Sequence, residues 1–258
     1  MNNVTAITDK PIHALITGGA SGLGLATALA VIQHGGKAAL LDINQNAAEQ
    51  ALRQLGERTL FFKTDVCNEQ QVDQAVAQSV AQFSYINLVI NCAGVAPSQR
   101  VLGKEALMST ADFSKAVNIN LISTFCVCRA AANVMQHNAP DSDGERGVII
   151  NTASIAAYDG QIGQAAYAAS KGGVVSLTLP LAREFARIGI RVMTIAPGLF
   201  KTPLFDALPE KAINALTQTI PFPKRVGHPT EFADLVLQIF HNKMFNGTTV
   251  RLDGALRM

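Results

Sequence analysis

The stretch Thr17-Gly18-Gly19-Ala20-Ser21-Gly22-Leu23-Gly24 lies between a short apolar run, Ile12 to Thr17, and a longer amphipathic segment, Gly22 to Gln33. A strand, a glycine-rich turn and a helix in that order put free N–H groups and the partial positive charge of a helix N-terminus at a tight turn. Glycine lets the main chain come close to a pyrophosphate there. The spacing is G-x-x-x-G-x-G, not the G-x-G-x-x-G of the common dinucleotide fingerprint. A plain tight turn uses the same residues, so the position directly after the first strand is what favours a nucleotide.

Strand-length apolar runs continue at Lys37–Leu41, Thr59–Lys63, Ile86–Asn91, Gly147–Thr152, Ile190–Ala196 and Thr248–Leu252. Helical patterns occupy Asn46–Leu55, Glu69–Phe83, Ala111–Met135, Gly163–Arg187 and Pro229–Phe240. This alternation predicts an α/β fold: a Rossmann-type, doubly wound, parallel seven-stranded sheet with helices on both faces. No linker or composition change divides residues 1–258, so a single domain is expected. Residues 95–110 exceed an ordinary α/β loop and read as an insertion. Residues 197–227, rich in proline around a short helical stretch at Glu210–Thr217, read as a mobile lid over the site. Asn138–Arg146 reads as a surface turn to which no chemistry attaches. Pro180 inside a helical pattern predicts a kink or a cost of about 3 kcal/mol.

With 258 residues, 48% hydrophobic and 16% charged, the chain is no disordered segment and has room for one large core. Lys+Arg 21 against Asp+Glu 19 leaves +2, with the basic residues scattered, so no nucleic acid partner is expected. Nearly uninterrupted apolar runs such as Leu23–Ile32 fall short of the ~20 residues of a bilayer span, so no membrane association is expected. Met1–Lys10 has neither the apolar core of a secretory signal nor an arginine, which makes a cytoplasmic address the expectation. Cys67, Cys92, Cys126 and Cys128 lack paired spacing and read as reduced core thiols, and the five dispersed histidines suggest no metal site.

The second strand ends at Asp42, eighteen residues past Gly24, where a carboxylate would accept the ribose hydroxyls of an adenosine. A 2′-phosphate would meet that charge at a cost of roughly 1–4 kcal/mol, so NAD is favoured over NADP. A solvated strand-end carboxylate is the plainer alternative. Asp65 ends the third strand and would bond an adenine amino group, with Val66 against the ring. Asn91-Cys92-Ala93-Gly94 ends the fourth. Ligands of open α/β sheets bind along this carboxyl edge. Tyr167 and Lys171 stand four apart on one helix face, and Ser154, at the end of the fifth strand, precedes Tyr167 by thirteen residues.

The set T-G-x-x-x-G-x-G, N-C-A-G, strand-end serine and Y-x-x-x-K resembles the short-chain dehydrogenase/reductase family over nearly the whole chain. The resemblance implies that Tyr167 is the acid/base, that Lys171 binds the nicotinamide ribose and lowers the Tyr167 pKa, and that Ser154 holds the substrate oxygen. It also implies an asparagine that holds a proton-relay water, which Asn120 matches better than Asn118. Free tyrosine ionises near pH 10, so work near neutrality needs a shift of about 3 units, or roughly 4 kcal/mol. An ammonium and a positive nicotinamide ring act in that direction.

Asn151–Gly173, Arg191–Phe200, Pro221-Phe222-Pro223 and the end Arg251–Met258 are similar to the branch of type-2 3-hydroxyacyl-CoA dehydrogenases. That likeness implies NAD-dependent interconversion of a secondary alcohol and a ketone, 3-hydroxyacyl-CoA and 3-oxoacyl-CoA first, with hydroxysteroids or 2-methyl-3-hydroxyacyl-CoA as further substrates. It implies NAD contacts from Ser21, Leu23, Asp42, Asp65, Val66, Cys92, Tyr167, Lys171, Phe200 and Thr202, beside the glycines Gly18, Gly22, Gly24 and Gly94. It places Gln161 and Ser154 near the substrate and implies a homotetramer. Arg100, Lys104, Lys201 and Lys211 are the cations offered to CoA phosphates. Two alternatives are a non-catalytic NAD-binding scaffold, which needs none of Ser154, Tyr167 and Lys171, and a 3-oxoacyl-carrier-protein reductase, whose NADPH suits Asp42 badly.

Overall fold

The computed structural model describes residues 10–104, 106–206 and 210–258. The leader reading of Met1–Lys10 therefore lies almost wholly outside the described residues, and the lid reading does so in part. Seven strands, β1 (His13–Thr17), β2 (Lys37–Asp42), β3 (Thr59–Lys63), β4 (Leu88–Asn91), β5 (Gly147–Thr152), β6 (Ile190–Pro197) and β7 (Thr249–Leu252), form one sheet in the order β3-β2-β1-β4-β5-β6-β7. Every pairing is parallel. The expected doubly wound fold is thus the observed one.

Adjacent strand residues face opposite helical layers. Ile16, Leu40, Ile90, Ile150 and Ile195 meet α1 (Gly22–Gln33) and α10 (Pro229–His241) on one face. Leu15, Leu41, Val89, Ile149 and Val192 meet α3 (Glu69–Phe83), α5 (Ser123–Met135) and α7 (Ala165–Ala186) on the other. Burial on both faces explains why the strands read as continuous apolar runs. Side-chain oxygens of Asn44 and Asn68 cap α2 (Gln45–Leu55) and α3, accepting from Ala47 and Gln71 N–H at 3.1 Å each.

At the amino end of β6, the Arg191 side chain, 8% exposed, uses all five of its N–H donors. Two reach the Glu145 carboxylate at 3.0 and 3.1 Å, and three reach the carbonyls of Ile239, Phe240 and Phe245 at 3.0, 3.0 and 2.7 Å. The cation thereby satisfies carbonyls left open in the last turn of α10 and ties them to the residues before β5.

Several expectations need correction. The helix expected over Ala111–Met135 is α4 (Thr110–Val117) and α5 joined by a π-helical turn at Asn118–Ile122. Together Thr110–Met135 is long and apolar enough, by length and composition, to cross a bilayer, which a search for uninterrupted apolar runs overlooks. Here Val127, Cys128, Ala131 and Met135 of that segment are buried in the domain core. The helix expected from Gly163 starts at Ala165, after a short α6 (Ala156–Asp159), because Gly160 and Gly163 break it. Pro180 sits within α7 on its exposed side, as does Ser176, whose carbonyl the proline leaves free and water can reach. Of the four thiols only Cys128 is fully buried; Cys67 is exposed, because it follows β3 in the turn leading to α3.

Candidate active site

In the strand order, β1 is flanked by β2 on one side and β4 on the other, so consecutive connections diverge from it and leave a crevice at the carboxyl ends of β1 and β4. The glycine turn fills that crevice edge. Gly18 takes φ +61°, and a Cβ there would stand 2.9 Å from the Ala93 nitrogen. A Cβ on Gly24 would stand 2.3 Å from the Gly18 carbonyl oxygen, so the first turn of α1 packs on its own loop. Ser21, the residue before α1, makes no side-chain cap, which leaves the helix's first N–H groups open to an anion. Thr202 lies against Gly22, 3.4 Å from where a Cβ would be, so the segment after β6 reaches the same turn.

Asp42 is more than a solvated carboxylate. Oδ2 accepts the Ala20 N–H at 3.1 Å and Oδ1 accepts the Asn44 N–H at 2.9 Å, so it braces the glycine turn against the end of β2. Each oxygen keeps a second lone pair for a hydroxyl. Asp65 is exposed, with Oδ1 accepting the Cys67 N–H at 2.9 Å, and Val66 beside it is buried.

On α7, Lys171 is only 6% exposed and donates from Nζ to the Thr152 carbonyl at 2.7 Å. The same ammonium stands 3.5 Å from a Cβ built on Gly94. Burial pushes the Lys171 pKa down to about 8, and pushes the neighbouring Cys92 thiol up to about 11. One turn earlier, burial raises the Tyr167 phenol, and the Ser154 hydroxyl beside it pulls in the opposite direction. Sequence reasoning expects the ammonium to lower the phenol; among the protein's own groups burial outweighs everything else. Gln161 is exposed in the loop between α6 and α7, and the adjoining Gly163 carbonyl accepts the Gln99 N–H of the 95–110 segment at 2.8 Å.

Asn120 is fully buried in the π-helical turn, whereas Asn118 is exposed. Asn120 Oδ1 accepts the Val95 N–H at 2.8 Å, and Nδ2 donates to the Val95 carbonyl and to Ser170 Oγ at 2.9 Å each. Ser170 Oγ in turn donates to the Tyr167 carbonyl at 2.7 Å. Ser170 is the residue that sequence reasoning missed, although a serine three past Tyr167 on a helix is placed for such a back-bond. Replacing Ser170 with alanine strands one buried Asn120 donor. A loss of about 1–3 kcal/mol of stability is expected, read as a lowered midpoint in urea. An unchanged midpoint would show that the amide needs no serine.

Phe200, 7% exposed, packs on Gly227 and bridges to it, while the Lys201 and Gly227 N–H groups bond to Gly227 and Leu199 carbonyls at 2.9 and 2.8 Å. Both ends of the 197–227 segment are therefore pinned together, with α8 (Pro203–Asp206) and α9 (Glu210–Gln218) between them.

Comparison with known proteins agrees with this geometry. Residues 12–212 match the short chain dehydrogenase family. A 3-hydroxyacyl-CoA dehydrogenase type-2 of Homo sapiens is 50% identical over 251 residues, covering 96% of each chain. Its Drosophila melanogaster counterpart is 47% identical over 96% of this chain and 98% of its own. The crystal structure of 3-hydroxyacyl-CoA dehydrogenase type-2 from Mycobacterium avium superposes with a TM-score of 0.92 at 36% identity, over 98% of this chain and 99% of that one.

Proposed function

Because the chain belongs to the short chain dehydrogenase family, oxidoreductases of secondary alcohols that use a nicotinamide cofactor, we propose that it interconverts 3-hydroxyacyl-CoA and 3-oxoacyl-CoA with NAD. The observation that carries the chemistry is the Tyr167 phenol beside Ser154, with Lys171 one helical turn away. The substrate class comes from the relatives' names. The residues present fit a dinucleotide: Gly18 and Gly24 let the turn fold tightly onto the start of α1, and α1 opens without a side-chain cap.

Bound NAD supplies the acceptor for the hydride and a positive ring that favours phenolate. Everything else falls to this chain. Tyr167 Oη takes the alcohol proton during oxidation and returns it during reduction. The Ser154 hydroxyl donates to the same substrate oxygen, where charge changes as the C–H bond breaks. Lys171, anchored by the Thr152 carbonyl, offers its remaining N–H groups to ribose hydroxyls. Asn120 binds the backbone at Val95 to α7, fixing the wall of the crevice on which the nicotinamide end would lie. The exposed Arg100, Lys104 and Lys201 are offered to the CoA phosphates; the side chain of Lys211 lies outside the described residues. Assembly as a homotetramer is part of the proposal, supported by Phe113, Ile122, Phe125 and Leu179, apolar residues exposed along α4, the π turn, α5 and α7.

Consumption of NADH with acetoacetyl-CoA tests the reading. Saturable NAD binding with no turnover of any 3-oxoacyl-CoA would favour the scaffold instead. Cofactor choice has its own test in Asp42→Asn, which keeps an acceptor for the Ala20 N–H but removes the charge. The ratio of kcat/KM for NADP to that for NAD is expected to rise by about 10–100-fold. A native chain that used both cofactors equally would sink the assignment.

A further inference from the structure

Groups from the far end of the chain hold the end of α6, the short helix two residues beyond Ser154. Arg251 of β7 donates from Nη2 to Asp159 Oδ2 at 2.5 Å and to the Leu256 carbonyl at 3.0 Å, and from Nε to Asp253 Oδ2 at 2.7 Å. Its guanidinium carbon also lies 5.1 Å from the centroid of the Tyr158 ring. One cation thus binds the last two residues of α6 to the C-terminal turn. Arg257 adds a second bond to Asp253 Oδ2 at 3.0 Å.

An apolar contact runs beside this polar one. Ile155, the residue after Ser154, is 2% exposed and forms one cluster with Leu256 at 1% and Ile220 at 3%. The Ile155 N–H also donates to the Pro197 carbonyl at 3.0 Å. Ser154 therefore stands on a backbone fixed on one side by β6 and on the other by the C-terminal segment. The ion pairs are partly shielded, with side-chain exposures of 22% for Arg251, 21% for Asp159 and 7% for Asp253. They keep more of their strength than fully solvated pairs.

We propose that Arg251 is a positioning residue for the reaction: by clamping Asp159 and Asp253 it holds α6, and through α6 sets where the Ser154 hydroxyl meets the substrate oxygen. The inference rests on the reading of the chain as a dehydrogenase. It touches none of the groups assigned to adenosine or pyrophosphate, which lie at the ends of β1, β2 and β3. A misplaced donor at the reacting oxygen weakens the transition state more than the ground state. The clamp is therefore expected to show in kcat and not in cofactor affinity.

The test compares native protein, Arg251→Met, Arg251→Lys, Asp159→Asn and the double variant Arg251→Met/Asp159→Asn. Each is checked for fold by circular dichroism, then assayed with acetoacetyl-CoA and NADH and titrated with NADH by fluorescence. Loss of the clamp is expected to lower kcat by about 10-fold with NADH affinity within a factor of about two of native. Arg251→Lys keeps the charge and recovers part of the loss. The double variant should be no worse than Arg251→Met, because both changes break one contact. Should Arg251→Met fail to fold, Asp159→Asn decides. Folded variants with lowered thermal stability but native kcat would overturn the inference and leave the dehydrogenase reading standing. A native protein inactive on every 3-oxoacyl-CoA would overturn both.

Discussion

Tyr167→Phe is expected to lower turnover of acetoacetyl-CoA by about 10³-fold while leaving NADH binding almost unchanged, since only the proton-carrying oxygen is removed. The ring, its packing and the Ser170 bond to the Tyr167 carbonyl all remain. The pH dependence follows from the same oxygen. Burial raises the phenol above its usual range, so the phenolate fraction grows with pH across the neutral and alkaline region. Oxidation, which needs phenolate, should accelerate as pH rises; reduction, which needs the phenol, should not. Lys171 works against oxidation at the alkaline end, because with a pKa of about 8 it loses its charge there. A Tyr167→Phe protein with native rates in either direction would remove the residue from the chemistry.

The largest stability effect is expected at Arg191→Met. Removing the guanidinium leaves Glu145, with 12% of its side chain exposed, as an unpaired charge and strands three carbonyls near the end of α10. Breaking such a pair from one side costs about 3–5 kcal/mol. For a domain of this size that lowers Tm by roughly 10 °C. The companion variant Arg191→Met/Glu145→Leu should recover much of the loss, since no lone charge is left behind. Equal Tm values for the single and double variants would show that the carboxylate is not what makes the arginine necessary.

The sheet was readable because parallel strands buried on both faces must be apolar throughout, and the intervening helices had to alternate with them. Asp42, the glycine turn and the Tyr167–Lys171 spacing were readable for a similar reason: each is a local pattern tied to a strand end or a single helix. The groups that complete the site are not local. Ser170 matters through Asn120, fifty residues away, and Arg251 through Asp159, ninety-two away. The π-helical turn gave no warning, because Asn118-Ile119-Asn120-Leu121-Ile122 contains neither glycine nor proline. Cys67 shows the opposite failure, where the usual burial of a residue type spoke for a position that a turn exposes.

The wide turn at Asn118–Ile122 lodges one surplus residue in the long helix, between α4 and α5. Five residues wound that widely sweep nearly the angle that four sweep in an ordinary spiral, so the surplus is absorbed on the spot and the flanking rods keep their facing. Excising one residue there would leave both flanks facing as they do and take away the bulge that carries the Asn120 amide to Val95. A place along the polymer is thus gained for one amide without turning anything on either side of it.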